Sequence, residues 1–181
     1  MDSYLQLDPE DQRTYCEEAG ARLGLSPSSV EKDFWVCWML GELFSLPEIG
    51  SALTFKGGTS LSKGWGLIQR FSEDIDIVID REAVGASAEP PGTSRKLTDK
   101  YLEALSSRAS AFIRERLHPE LQSRISKRLP PALRGTLRHS GEDSNNEALL
   151  FEYASRFDGE GYVVPNKDPD NLRSCIVGER Q

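Results

Sequence analysis

The chain has 181 residues, with 38% apolar and 28% charged side chains and a formal charge of -7. This is the profile of one folded domain with a real core, and it excludes a uniformly basic nucleic-acid coat, although a local basic patch fits inside an acidic total. The three cysteines, Cys16, Cys37 and Cys175, are an odd number without Cys-x-x-Cys spacing, so they read as free thiols rather than a disulfide frame or a zinc site, with Cys16 and Cys37 as small core residues.

The N-terminus, MDSYLQLDPEDQR, is polar and acidic and is no secretory signal. Residues 8–24 predict a helix, with Asp8-Pro9 as its start and Gly24 as its stop. A second helix is predicted from Ser28 to Leu46, where Ser28 and Glu31 have capping-box spacing and Pro47 ends the run. Val30, Phe34, Cys37, Trp38, Gly41 and Phe44 fall on one face of it, and Trp35, Met39 and Leu43 widen the apolar surface, so burial on two sides is expected. The most apolar run, Phe34 to Leu46, contains Glu42 and falls short of a bilayer span. No membrane association and a cytoplasmic location are therefore expected.

Residues 52–56 (ALTFK) read as a strand running into Gly57-Gly58, and Ser60 to Gly66 as a short helix. Phe71 to Asp80 predict a strand in which Ile75, Ile77 and Ile79 alternate with Asp74, Asp76 and Val78. Residues 83–99, rich in Pro, Gly, Ala and Ser, predict an exposed loop. Tyr101 to Arg128 predict a helix with an apolar face through Leu102, Leu105, Ala109, Phe112, Ile113 and Leu117, broken at Pro119 and closed by Pro130-Pro131. The polar segment GEDSNNE, 141–147, precedes a strand from Ala148 to Ser155. The order of elements predicts an α+β or mixed α/β fold on a small sheet.

Two features in this chain carry chemistry. Asp74 and Asp76 share one face of a strand, and carboxylates held close together repel unless a cation lies between them; hard oxygen ligands of this kind suit Mg2+ or Mn2+. The competing reading is a strand face of solvated aspartates. Gly57-Gly58-Thr59-Ser60 lie between a strand and a helix, where glycines admit a ligand close to the backbone and the helix start offers N–H groups to anions, with the Thr59 and Ser60 hydroxyls as further donors. The competing reading is a tight turn with a Ser or Thr helix cap. Together the two features place a phosphate cradle beside a carboxylate pair, as nucleoside triphosphate chemistry requires.

These segments, FKGGTSLSK followed by RFSEDIDIVI, resemble the AbiEii/MenT-type nucleotidyltransferase toxins of the polymerase-beta-like nucleotidyltransferase superfamily. The preceding VEKDFWVCWML and, more weakly, LLFEYASRF at 149–157 add to the resemblance. It implies an α+β, polymerase-beta-like core, a small mixed sheet flanked by helices, as a single nucleotidyltransferase-like domain over 1–181. Its parts would be N-terminal helices at 8–46, a catalytic core at 52–80, the loop at 83–99, a helical segment at 100–129 and a third strand at 148–155.

By position, the resemblance implies that Gly57, Gly58 and Thr59 bind the nucleotide phosphates, with Ser60 and Lys63 beside them. Asp74 and Asp76 would bind Mg2+ or Mn2+, and Glu152 would be a third catalytic carboxylate, a metal ligand or proton acceptor. A surface role for Glu152 at a strand edge is the alternative. Lys56, Lys63 and Arg70 are cations near enough to balance triphosphate charge, and Arg70 alternatively braces the aspartates or Glu73. Glu31-Lys32-Asp33 receive no chemical role and read as solvated or paired charges at a helix start. The basic stretch Arg108 to Arg138 reads either as an RNA-tracking surface or as a solvated helix face.

The resemblance implies a toxin of a toxin–antitoxin or phage-defence pair that moves a nucleotide from an NTP to an acceptor hydroxyl, with tRNA as acceptor and a cognate antitoxin as partner. A C-terminal helical region with a further lysine and aspartate motif is expected in the family, and that lysine has no convincing counterpart here, so the chain reads as a truncated protein, a fragment or a natural short relative. Two alternatives follow: an inactive nucleotide-binding module without acceptor machinery, and an Asp-x-Asp glycosyltransferase.

Overall fold

The computed structural model describes residues 1–64, 74–86, 94–133, 135–140, 148–157 and 172–178; the last of these segments and positions 59, 62 and 63 are described by backbone alone. The expectations for residues 71–73, Arg70, Glu73, Arg134 and the 141–147 segment lie outside the described residues.

A short helix, α1 (Asp2–Leu5), precedes α2 (Pro9–Leu23). The Asp8 carboxylate caps α2 by accepting from the Glu10 and Asp11 N–H groups, and Gly24 closes it in the left-handed region, so both predicted ends are met. The next helix, α3, spans Pro27–Phe44. Its cap is Ser26, not the predicted Ser28, because Pro27 sits naturally in the first turn, where the N–H it lacks would have been unpaired. Glu31 is therefore freed from a capping box and points elsewhere.

A 3-10 turn at Gly50–Ala52 leads into β1 (Leu53–Lys56). The strand passes without a loop into α4 (Gly57–Lys63), three residues earlier than the predicted Ser60 start. Gly57 makes that reversal at φ 77°, a conformation that costs a side-chain-bearing residue about 1–2 kcal/mol. Strand β2 follows as Asp74–Ile79, with Ile75, Ile77 and Ile79 buried and Asp74, Asp76 and Val78 half-buried, as the alternation predicts.

The long helix begins earlier than expected, at Arg95, because Ser94 caps it. It runs as α5 (Arg95–Phe112), passes through a π-turn at Ile113–Leu117 and continues as α6 (His118–Arg128). Pro119 therefore does not break the helix: the wide turn just ahead of it absorbs the missing N–H and the ring clash. Ala109, Phe112, Ile113 and Leu117 are buried as predicted, but Leu102 is exposed, since the first half of α5 extends beyond the core.

Strand β4 (Ala148–Ala154) agrees with the sequence; β3 (Gly135–His139) and β5 (Leu172–Gly178) were not anticipated. The five strands form one mixed sheet in the order β1-β2-β5-β4-β3. β5 runs parallel to β2 and antiparallel to β4, so a segment remote in sequence separates the two strands that carry the predicted carboxylates. The fold is thus α+β, with helices packed over a small mixed sheet, as expected.

The core lies between one face of the sheet and helices α3 and α6. Trp35 packs 4.9 Å from Tyr153 and 5.7 Å from Phe151, while Leu121 and Ile125 of α6 join the same cluster. Aromatic contacts at these separations add to the area that each ring buries. Trp35, Trp38, Met39 and Leu43 of α3 are buried as predicted, but Glu31, Lys32 and Glu42 are inside with them, while Gly41 and Phe44 of the predicted face are exposed. The two glutamates find partners inside.

Candidate active site

Antiparallel pairing sets Lys56 opposite Asp76 and Phe55 opposite Ile77. Side chains alternate across a strand, so Lys56, Asp76 and Asp74 share the face opposite the core. The glycine turn leaves β1 beside the start of β2. A Cβ built on Gly57 would overlap the Asp76 Oδ2 atom, so the missing side chain is what leaves room for that carboxylate. The sequence features 57–60 and 74–76 are therefore one place in the structure.

The Ser60 hydroxyl is buried and donates to the Gly57 carbonyl at 2.8 Å. That bond stiffens the turn from within and occupies the Ser60 proton. The Thr59 and Lys63 side chains lie outside the described residues. Gly58 follows Gly57 in the first turn of α4.

Glu152 also stands on the Asp74 face. Its partner on β5 is Ser174, whereas Asp74 pairs with Ile176, which in turn pairs with Leu150. Two strand spacings, about 10 Å, and two residues along the sheet, about 7 Å, therefore separate Glu152 from Asp74, on the side away from Asp76. Glu152 forms an ion pair with Arg138, their side chains being 15% and 52% exposed. β4 lies between β5 and β3, so Glu152 is not on a strand edge.

Among the described residues, no three His, Cys, Asp or Glu side chains converge in a metal-binding arrangement. The two aspartates nevertheless fit a Mg2+ or Mn2+ ion of the kind that keeps several waters and phosphate oxygens in its shell, because such an ion needs only one or two protein carboxylates.

The end of β4 on the Asp74 side of the sheet is fastened by a buried polar network that the sequence did not disclose. Glu31, 1% exposed, accepts from the Arg156 N–H at 2.7 Å and from the Ser155 hydroxyl at 2.6 Å. The Arg156 guanidinium donates to Gln12 at 2.7 Å, tying α2 to the same point. Burial, and then a hydrogen bond to Cys16, push the Tyr4 hydroxyl well above its usual range, and burial likewise raises the Cys16 thiol. Of the two readings of Glu31, solvated or paired, the paired one holds: it is an internal anchor.

The basic stretch is mostly engaged within the fold. Arg124 and Arg128 donate to buried Glu42 at 2.5 and 3.2 Å, Arg128 also reaches Asp2, and Arg116 lies near Glu48 and Glu120. A cavity of about 530 Å³ opens there, lined by Leu46, Pro47, Pro119, Arg124, Lys127 and Arg128 among others. It belongs to the helical layer, on the other side of the sheet from Asp74 and Asp76, so it is not part of their site. Among the described residues, no helix is long and apolar enough to cross a membrane.

A mixed sheet with helices α3 and α6 over one face, and with a glycine turn meeting an aspartate pair where β1 ends and β2 begins, defines an α+β protein of nucleotidyltransferase-like architecture. Residues 38–171 match the nucleotidyl transferase AbiEii toxin family of type IV toxin–antitoxin systems, and the chain belongs to that family. Membership brings a nucleotide substrate and a cognate antitoxin. No curated protein and no solved structure matches the chain.

Proposed function

We propose that the chain is a metal-dependent nucleotidyltransferase that transfers a nucleotide from an NTP to an acceptor hydroxyl, with RNA, tRNA in particular, as the acceptor class. The observation that carries this reading is the meeting of Gly57 with Asp76 on the face of the sheet opposite the core. The Gly57-Gly58-Thr59 turn would bind the triphosphate through backbone N–H groups, and the backbone comes close there because no Cβ intervenes. Asp74 and Asp76 would hold Mg2+ or Mn2+. When bound, the metal supplies Lewis-acid stabilisation of charge on the reacting phosphoryl oxygens.

The chain's own contribution is placement. Ile75, Ile77 and Ile79 anchor β2 in the core and keep both aspartates on the opposite face. Ser60 holds the turn in shape through the Gly57 carbonyl. We assign Glu152 to bracing Arg138 on the same face, since its distance from Asp74 does not suit proton removal from a hydroxyl poised at the aspartates. The choice of tRNA as acceptor rests on the resemblance to the toxin family.

The test is labelling of total tRNA with each α-labelled NTP in the presence of Mg2+, using the protein and its Asp76→Asn variant. Label transfer by the parent and at least a hundredfold less by Asp76→Asn supports the reading. Equal labelling by the two overturns it. Binding of NTP without transfer to any RNA would favour instead a nucleotide-binding module.

A further inference from the structure

We propose that Lys56 is the built-in counter-charge of the aspartate pair: it neutralises Asp76 before nucleotide binds and passes to the triphosphate when nucleotide and metal arrive. This rests on the reading of Asp74 and Asp76 as metal ligands and adds to it a positioning residue and an order of binding.

The register carries the proposal. Lys56 ends β1 directly opposite Asp76, and the neighbouring pair, half-buried Phe55 packed against the core and buried Ile77, fixes both side chains on the face opposite the core. Facing residues in an antiparallel pair have Cβ atoms about 5 Å apart, well within reach of a lysine. Gly57, the next residue, leaves room for the Asp76 carboxylate on the same side. That carboxylate is thus flanked by an ammonium-bearing chain on one strand and by side-chain-free backbone just after it.

Charge arithmetic gives the consequence. Asp74 and Asp76 are like charges side by side on a half-buried face, and their mutual repulsion is unfavourable without a cation. A lysine opposite Asp76 offsets part of that repulsion and at the same time competes with a divalent ion for Asp76. Without nucleotide the site is then a weak metal site. A nucleoside triphosphate supplies further anionic oxygens and carries its own metal, so the lysine gains a phosphate partner as the metal takes the carboxylate. A lysine suits this exchange because its charge is compact and its stem flexible.

Manganese binding to the protein without nucleotide, read by electron paramagnetic resonance, tests the proposal on the parent and the Lys56→Met, Lys56→Arg and Asp76→Asn forms. Affinity for the α,β-methylene analogues of the four common NTPs is measured alongside by calorimetry, with thermal melting as a check on folding. Lys56→Met is expected to bind Mn2+ about fivefold more tightly than the parent and the preferred analogue about tenfold more weakly, with Lys56→Arg near the parent in both. Unchanged or weaker Mn2+ binding in Lys56→Met, or unchanged analogue binding, overturns the lysine assignment while loss of Mn2+ in Asp76→Asn upholds the aspartate site. Mn2+ binding that is insensitive to Asp76→Asn overturns the aspartate site and the lysine assignment together.

Discussion

The Asp76 carboxylate occupies the space that a side chain at Gly57 would fill. Gly57 also stands at φ 77°, so the position excludes other residues twice, once by backbone strain and once by overlap. Gly57→Ala is expected to lower stability by about 1–3 kcal/mol and to displace the carboxylate. Nucleotide transfer should then fall at least tenfold in protein that still melts cooperatively. The measurement is a melting curve beside a labelling assay; full activity in Gly57→Ala would separate the glycine from the aspartate.

Glu152 and Asp76 should respond differently to removal of charge. Glu152→Gln loses an ion pair with Arg138 on a half-exposed face and is expected to change transfer by less than about threefold. Asp76→Asn is expected to lose at least a hundredfold. A loss in Glu152→Gln comparable to that in Asp76→Asn would place Glu152 in the chemistry.

Glu31 holds the exit of β4 by two hydrogen bonds from half-buried donors. Glu31→Ala leaves the Arg156 N–H and the Ser155 hydroxyl inside the protein without that acceptor, at a cost of about 2–4 kcal/mol. Glu31→Gln retains an acceptor oxygen and should lose less than half as much. Chemical denaturation gives both values.

Glu42 is asymmetric with respect to its partners. Its side chain is 5% exposed, whereas Arg124 and Arg128 are 30% and 43% exposed. Removing the carboxylate leaves arginines that water can reach, but removing both arginines strands a buried charge. The double variant Arg124→Met/Arg128→Met should therefore be less stable than Glu42→Gln, by about 1–2 kcal/mol in denaturant titrations.

The Tyr4 hydroxyl and the Cys16 thiol both titrate above their ordinary values of 10.0 and 9.0. Their neutral forms are favoured in the fold, so the unfolded chain loses these protons first as pH rises. The stabilisation is complete below about pH 8.5 and declines through the alkaline range above it. The melting temperature should fall between about pH 8.5 and 11, and the fall should be shallower in Tyr4→Phe/Cys16→Ser.

Local chemistry determined much of this protein. Asp8 and Gly24 bound α2 because caps act within a turn of the residues they serve, and the Ile–Asp alternation set the two faces of β2 because side chains alternate whatever the partner strand. The glycine turn and the aspartates were likewise legible, as neighbours in sequence with matching chemistry. Tertiary structure decided the rest. β5 entered between β2 and β4 from a distant part of the chain and set Glu152 away from the aspartates. α3 buried Glu31 and Glu42 beside its apolar residues because Ser155, Arg156, Arg124 and Arg128 meet them there. A buried carboxylate is tolerated only where its partners converge, and residues more than eighty positions apart converge only in the fold.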